Sequence, residues 1–168
     1  MNNEELIMAR FDALSNEAYR DRFIRESNLI EDVFSEQAFE DSVQAYNYLR
    51  SLKKKLDLDD VLYVHKLVMQ NLEPRIAGKL RDCEVTVGGR LCLKASIVKR
   101  TLEQLLKTQP YNALSALDWH IQFELIHPFE DGNGRTGRLI YAYHCLINDR
   151  RFMIFRNADK IGYYSLFD

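Results

Sequence analysis

Between His127 and Arg138 the chain reads HPFEDGNGRTGR, which gathers a base, a carboxylate, an amide, three glycines and two arginines into one short stretch. The imidazole of His127 has the pKa range of a general base. Asp131 is a hard oxygen ligand suited to a Mg2+ ion that bridges phosphates. Arg135 and Arg138 stand three apart, so on a helix they share a face, and each offers a planar fork of donors matched to phosphate oxygens. Around Gly132, Asn133 and Gly134 the glycines let the backbone come close to an anion. Together these groups describe an enzyme that holds a magnesium nucleotide and deprotonates an attacking hydroxyl.

Two helices must position this chemistry. Upstream, Leu114, Leu117, Ile121, Leu125 and Ile126 follow the spacing of a helix over Ala113 to Ile126 with that face buried. Pro128 ends it, because it lacks an N–H and pushes His127 out of the α region. Downstream, Leu139, Ile140, Tyr143, Leu146 and Ile147 repeat the spacing, so a second helix begins near Gly134. The loop between them therefore sits at a helix N-terminus, where unpartnered N–H groups and the positive end of the dipole favour an anion.

The stretch resembles the signature of the Fic family, HPFx[DE]GN[GK]R with a second arginine after two further residues, and every fixed position is matched. The resemblance implies an all-α Fic fold, a helical bundle with one β-hairpin flap, and transfer of AMP from ATP to a hydroxyl of a protein target. It implies His127 as the base and Asp131 as the Mg2+ ligand. Asn133 and the N–H groups of Gly132 and Gly134 would cradle the α-phosphate, and Arg135 and Arg138 would take the β- and γ-phosphates. A Fic-type phosphotransferase goes with lysine where this chain has Gly134. A de-AMPylase and a non-catalytic nucleotide-binding module also stay open.

Ser27-Asn28-Leu29-Ile30-Glu31-Asp32 resembles the family's inhibitory motif, [ST]xxxE[GN], placed ahead of the core. Ser27 and Glu31, four apart, share one face of a helical turn, and the resemblance implies that Glu31 reaches Arg138 and blocks the γ-phosphate position. Asp32 departs from the expected Gly or Asn. Val85 and Val87, then Gly88-Gly89, then Arg90 to Leu93, predict a hairpin with a glycine turn. With Gly78-Lys79-Leu80-Arg81 ahead of it, this stretch resembles the Fic flap, so Val85, Thr86, Val87 and Gly88 are expected to pair with an extended piece of the target. Tyr163-Tyr164 resembles the pair that lines the family's adenine pocket; a place in an aromatic core is the other reading.

The remaining pattern is helical: Glu4 to Phe23, Ser35 to Lys55, a helix capped by Asp59 or Asp60, Ala95 to Lys107, and a short one over Asp159 to Phe167. Lys53-Lys54-Lys55 suits a helix C-terminus. His65, His120 and His144 each stand singly on a helix and read as core histidines. At 168 residues the chain is expected to be one domain, with 1–35 a helix and inhibitory segment and 36–168 the catalytic core. A net charge of -2 gives no reason to expect nucleic acid. No apolar run approaches a membrane span, and the N-terminus does not read as a signal peptide. Three cysteines without ligand spacing suit a reducing, cytoplasmic location. The expected partner is a protein bearing a Ser, Thr or Tyr hydroxyl; a homo-oligomer stays open.

Overall fold

The computed structural model describes residues 17–110 and 113–167, with residues 113 and 114 described by their backbone. The expected helix from Glu4 falls partly outside that range. The described helix there, α1 (Glu17–Ile30), runs past Phe23 and carries Ser27 within it. After it come α2 (Glu36–Leu52), α3 (Leu58–Met69), β1 (Thr86–Val87), β2 (Arg90–Leu91), α4 (Ala95–Leu106), α5 (Ala113–Ile126), α6 (Asn133–Leu146) and α7 (Lys160–Tyr164). Short 3-10 turns at Asn157–Asp159 and Ser165–Phe167 flank α7.

Local chemistry sets the helix ends. Ser35 caps α2 by accepting from the Ala38 N–H at 3.1 Å. Lys53 closes it in the left-handed region, φ 47°, so the lysine run begins where the helix stops. The cap of α3 is Asp57, not Asp59 or Asp60. Asp57 accepts from the Asp60 N–H at 2.9 Å while the Asp60 carboxylate accepts from the Asp57 N–H at 3.0 Å, a reciprocal capping box that fixes the start two residues early.

The centre of the bundle is α6. Its residues from Leu139 to Cys145 are buried on every side, and it packs against α5, α2, α3 and α1. The stripe that α5 buries is Ala116, Trp119, His120, Phe123 and Ile126. It is rotated from the leucine stripe expected from the sequence: Leu117 and Ile121 are half-buried and Leu125 is exposed. The aromatics decide the rotation, because Trp119 and Phe123 offer more area to the core than leucine. Gly137 allows this close packing, since a side chain there would collide with Glu124, His120 and Phe123.

The hairpin is smaller than its sequence pattern. Thr86 pairs with Leu91 and Val87 with Arg90, and a bond from the Cys92 N–H to the Val85 carbonyl (3.0 Å) extends the ladder. Gly88 and Gly89 both have positive φ, 57° and 78°, the conformation of a two-residue hairpin turn that glycine adopts at no steric cost. Cys83, Cys92 and Cys145 are all free thiols. Among the described residues no helix is long and apolar enough to cross a membrane.

Candidate active site

A cavity of about 390 Å³ lies between the hairpin, the ends of α5 and α1, the N-terminus of α6 and α7. Its floor is the loop that the sequence singled out. His127 leaves α5 with φ 51°, and the loop returns through Gly132 at φ 77°. A side chain at Gly132 would strike Met69 and His65, so glycine is needed there for space as well as for conformation. No side chain caps α6, so the first N–H groups of a helix whose start, Asn133 and Gly134, lines the cavity have no side-chain acceptor.

Asn133 does not offer its side chain to the cavity. Its Oδ1 accepts from the Phe129 N–H and its Nδ2 donates to the Phe129 carbonyl, both at 2.9 Å, so the amide braces the loop from within. The expected cradle around a phosphate is thus made of backbone alone. His65 braces the other side. It stacks on Phe129 with ring centroids 3.6 Å apart, lies 2.9 Å from the Asp131 carbonyl through Nε2, and accepts from the Gly78 N–H at 3.0 Å through Nδ1. That is the core role read for it, with the added effect of pinning the loop.

His127 lines the cavity, and burial lowers its pKa from the ordinary histidine value. Arg81 acts in the same direction, whereas the Glu124 backbone, Glu31 and Asp131 oppose it. The imidazole is therefore neutral near pH 7 and ready to accept a proton. Asp131 is the exposed member of the site, its side chain 68% accessible. One oxygen accepts from the Gly132 N–H at 2.6 Å and the other lies 3.5 Å from Arg135. An open carboxylate beside an uncapped helix start fits Mg2+, which takes one or two carboxylates together with phosphates and water.

The two arginines part company. Arg138 is wholly buried and fully engaged. Nε donates to the Ser27 hydroxyl (2.8 Å), Nη2 to the Ser27 carbonyl (2.9 Å) and to Glu31 (2.7 Å), and Nη1 to the Tyr163 hydroxyl (2.9 Å). Burial pulls its pKa down, but the interactions with Tyr163 and Glu31 outweigh that and leave it raised. Arg135 instead faces a small gap beside Ile24, Ser27, Asn28, Ser42 and Leu139, away from the main cavity. Its Nε and Nη1 are buried without a hydrogen-bond partner.

Ser27, Glu31 and Arg138 are thus brought together. The Glu31 carboxylate lies against Gly134, where any side chain would collide with it. Asp32, directly after the glutamate, has φ 55°. This explains the Gly or Asn of the motif, since those residues enter the left-handed region most readily. Tyr163 is buried against Arg138 and close to the His120 Nε2 (3.0 Å), so it belongs to the aromatic core as much as to the cavity wall. Tyr164 is half-exposed in that wall and donates to the Ile30 carbonyl at 3.2 Å. Val87 lines the cavity from the hairpin.

Glu124 did not stand out in the sequence. It lines the cavity one turn before His127, one oxygen is buried with no partner, and burial pushes its pKa up to about 8. An acid one helical turn before His127 was the available signal.

The model of the Fic/DOC family matches residues 55–145. Protein adenylyltransferase fic-1 of Caenorhabditis elegans is 31% identical over 93 residues, 51% of this chain and 18% of that protein. Protein adenylyltransferase Fic of Drosophila mojavensis is 34% identical over 99 residues, 54% of this chain and 20% of that protein. The matches thus span about a fifth of the curated relatives' length or less. Among solved structures, Fic-1 (aa134–508) from C. elegans is similar with a TM-score of 0.75 at 20% identity, covering 92% of this chain and 56% of that one. A Fic domain containing signaling protein from Bacteroides thetaiotaomicron reaches 0.77 at 16% identity, covering 89% and 70%. At these identities the structures establish the fold.

Proposed function

The chain belongs to the Fic/DOC family, and from that premise we propose that it transfers AMP from ATP to a hydroxyl of a protein target and is held in check by Glu31. The observation that carries the reading is one cavity faced by both a half-buried imidazole, His127, whose pKa is lowered, and the uncapped N-terminus of α6. A base and an anion cradle in one enclosure are what phosphoryl chemistry on a nucleotide requires.

In the proposed step the target hydroxyl oxygen bonds to the α-phosphorus, the bond from that phosphorus to the bridging oxygen breaks, and pyrophosphate leaves. The hydroxyl proton passes to the His127 imidazole. The backbone N–H groups of Asn133 and Gly134 would hold the α-phosphate oxygens and stabilise the charge that grows there, and the Gly132 N–H, which donates to Asp131, would join them where that carboxylate turns to the metal. Asp131 would hold Mg2+, which when bound neutralises phosphate charge. Tyr163 and Tyr164, both in the cavity wall, would line the place of the nucleotide base. The hairpin presents the target as an added strand.

Glu31 pairs with Arg138 at 2.7 Å, so a terminal phosphate and this carboxylate would compete for one guanidinium. Gly134 favours AMP transfer over phosphate transfer, because the resemblance links the latter to a lysine at this position. The test is intact-mass analysis after incubation with Mg2+ and ATP. A Glu31→Gly protein should gain the mass of AMP on itself, and a Glu31→Gly/His127→Ala protein should gain nothing. Addition of a phosphate mass, or no addition by Glu31→Gly, would overturn the reading.

A further inference from the structure

Arg81 is 3% exposed, yet among the described residues its guanidinium forms no ion pair. It is spent on backbone carbonyls. Nε donates to the His127 carbonyl at 2.7 Å and Nη1 to the Cys83 carbonyl at 2.9 Å. Nη2 is shared between the carbonyls of Leu93 and, at 3.4 Å, Ile126. The Arg81 N–H adds a bond to the Pro128 carbonyl at 3.0 Å.

These acceptors belong to two separate pieces of the site. Cys83 and Leu93 flank the hairpin on either side. Ile126 and His127 end α5, where carbonyls lack helical partners and the dipole is negative, so a cation is favoured there. His127 is also held in the left-handed region, φ 51°, which is costly for a non-glycine residue and needs support from its surroundings. A buried charge without such bonds would be costly, so the arginine and its four carbonyls stand or fall together.

We infer that Arg81 is a positioning residue, a rigid spacer that fixes the hairpin at one distance and orientation from His127, so that a hydroxyl carried on the hairpin arrives at the imidazole. It does not line the cavity, so it would act through His127 and the hairpin and not by contact with nucleotide. Lysine cannot replace it, because a single nitrogen cannot serve carbonyls on both segments in one plane. The inference rests on the reading of His127 as base and of the hairpin as the target's docking edge.

The test compares the Glu31→Gly chain with and without Arg81→Lys. Amide exchange is followed at Cys92, which closes the hairpin, at His127, which bonds the Phe123 carbonyl, and at Val64 in the core. Cys92 and His127 should both exchange faster by about tenfold, with Val64 unchanged. Turnover at saturating ATP should fall about tenfold while Mg-ATP affinity stays within about twofold. In Arg81→Ala, added ethylguanidinium should restore part of the turnover. Faster exchange at only one of the two amides, equal loosening of all three, or unimpaired turnover would each overturn the spacer. If Arg81→Lys does not fold, the unmodified chain decides. In low urea Cys92 and His127 should open with one common dependence, and two different dependences would overturn it. Should Glu31→Gly transfer no AMP at all, the functional reading fails, and the exchange data still judge the coupling.

Discussion

Arg138 offers every nitrogen to a partner, and only one of those partners, Glu31, is an acid. A charge-assisted bond of this kind is worth roughly 1.5–3 kcal/mol, which under the proposed inhibition would suppress activity about tenfold to a hundredfold. Glu31→Gly should therefore raise auto-modification by such a factor, and Glu31→Gln by less. The same change should lower thermal stability by about 1–2 kcal/mol, because a buried cation loses its counter-charge while keeping Ser27 and Tyr163. A rise in activity with unchanged melting temperature would show that the pair contributes nothing to the fold. Asp32 gives a second prediction. At φ 55° an aspartate is strained more than an asparagine, so Asp32→Asn should stabilise the chain by about 0.5 kcal/mol. Calorimetry that finds Asp32→Asn less stable would show instead that the 3.5 Å pair of Asp32 with Lys160 matters more than the backbone. Residue by residue, the sequence carried the identity of these groups better than their direction. The spacing of Arg135 and Arg138 put them on one face of α6, and both are buried, but Arg135 points to the gap beside α1 and α2. Side-chain direction on a helix packed on all sides depends on neighbours that spacing does not name.

Among the elements, the helices on either side of the site were legible because Pro128 and the glycine-rich turn punctuate them at a fixed place. The hairpin was legible through Gly88-Gly89. The rotation of α5 was not, because that helix is apolar nearly all round and its aromatics, not its leucines, choose the core. The cap of α3 was displaced because three candidate aspartates stand within four residues, and only the reciprocal bonds of Asp57 and Asp60 decide among them. The hairpin carries a prediction of its own. No atom stands within 4 Å of a side chain placed at Gly88 or Gly89, so a substitution there acts through backbone conformation alone. Gly89→Val should cost about 1–2 kcal/mol locally and open the turn. Modification of a protein target should then fall more than self-modification, with Mg-ATP affinity unchanged by titration calorimetry. Equal loss of all three would mean that the hairpin supports the nucleotide site and not target choice.

Across the whole molecule, burial has shifted titration of the histidines and of one acid in opposite directions. Burial lowers His65 to about 4 and His120 and His144 to about 3, and it lowers His127 as well. Between these values and the ordinary 6.5, the unfolded chain binds protons that the folded chain refuses. Their contribution to stability is present above pH 6.5 and is lost as pH falls toward 4 and 3. Glu124 behaves in reverse. Burial raises it from 4.5 to about 8, so its contribution is present below pH 4.5 and is lost as pH rises to 8. From pH 4.5 to 6.5 His65, His120 and His144 oppose one acid, with His127 acting in the same direction as they do, and stability rises with pH; from 6.5 to 8 the acid acts alone, and stability falls. Each proton accounts for roughly 1.4 kcal/mol per pH unit where the two states differ fully. The melting temperature should therefore peak near pH 6.5, and Glu124→Gln should abolish the decline on the alkaline side while leaving the acid side as it was. Calorimetry across pH 5 to 9 checks both arms. A melting temperature that keeps rising to pH 8 would show that Glu124 is ionised within the folded protein, and a decline between pH 6.5 and 8 that survives Glu124→Gln would assign it to another group; above pH 8 the Cys145 thiol, raised by burial from 9 to about 11, adds a decline of its own.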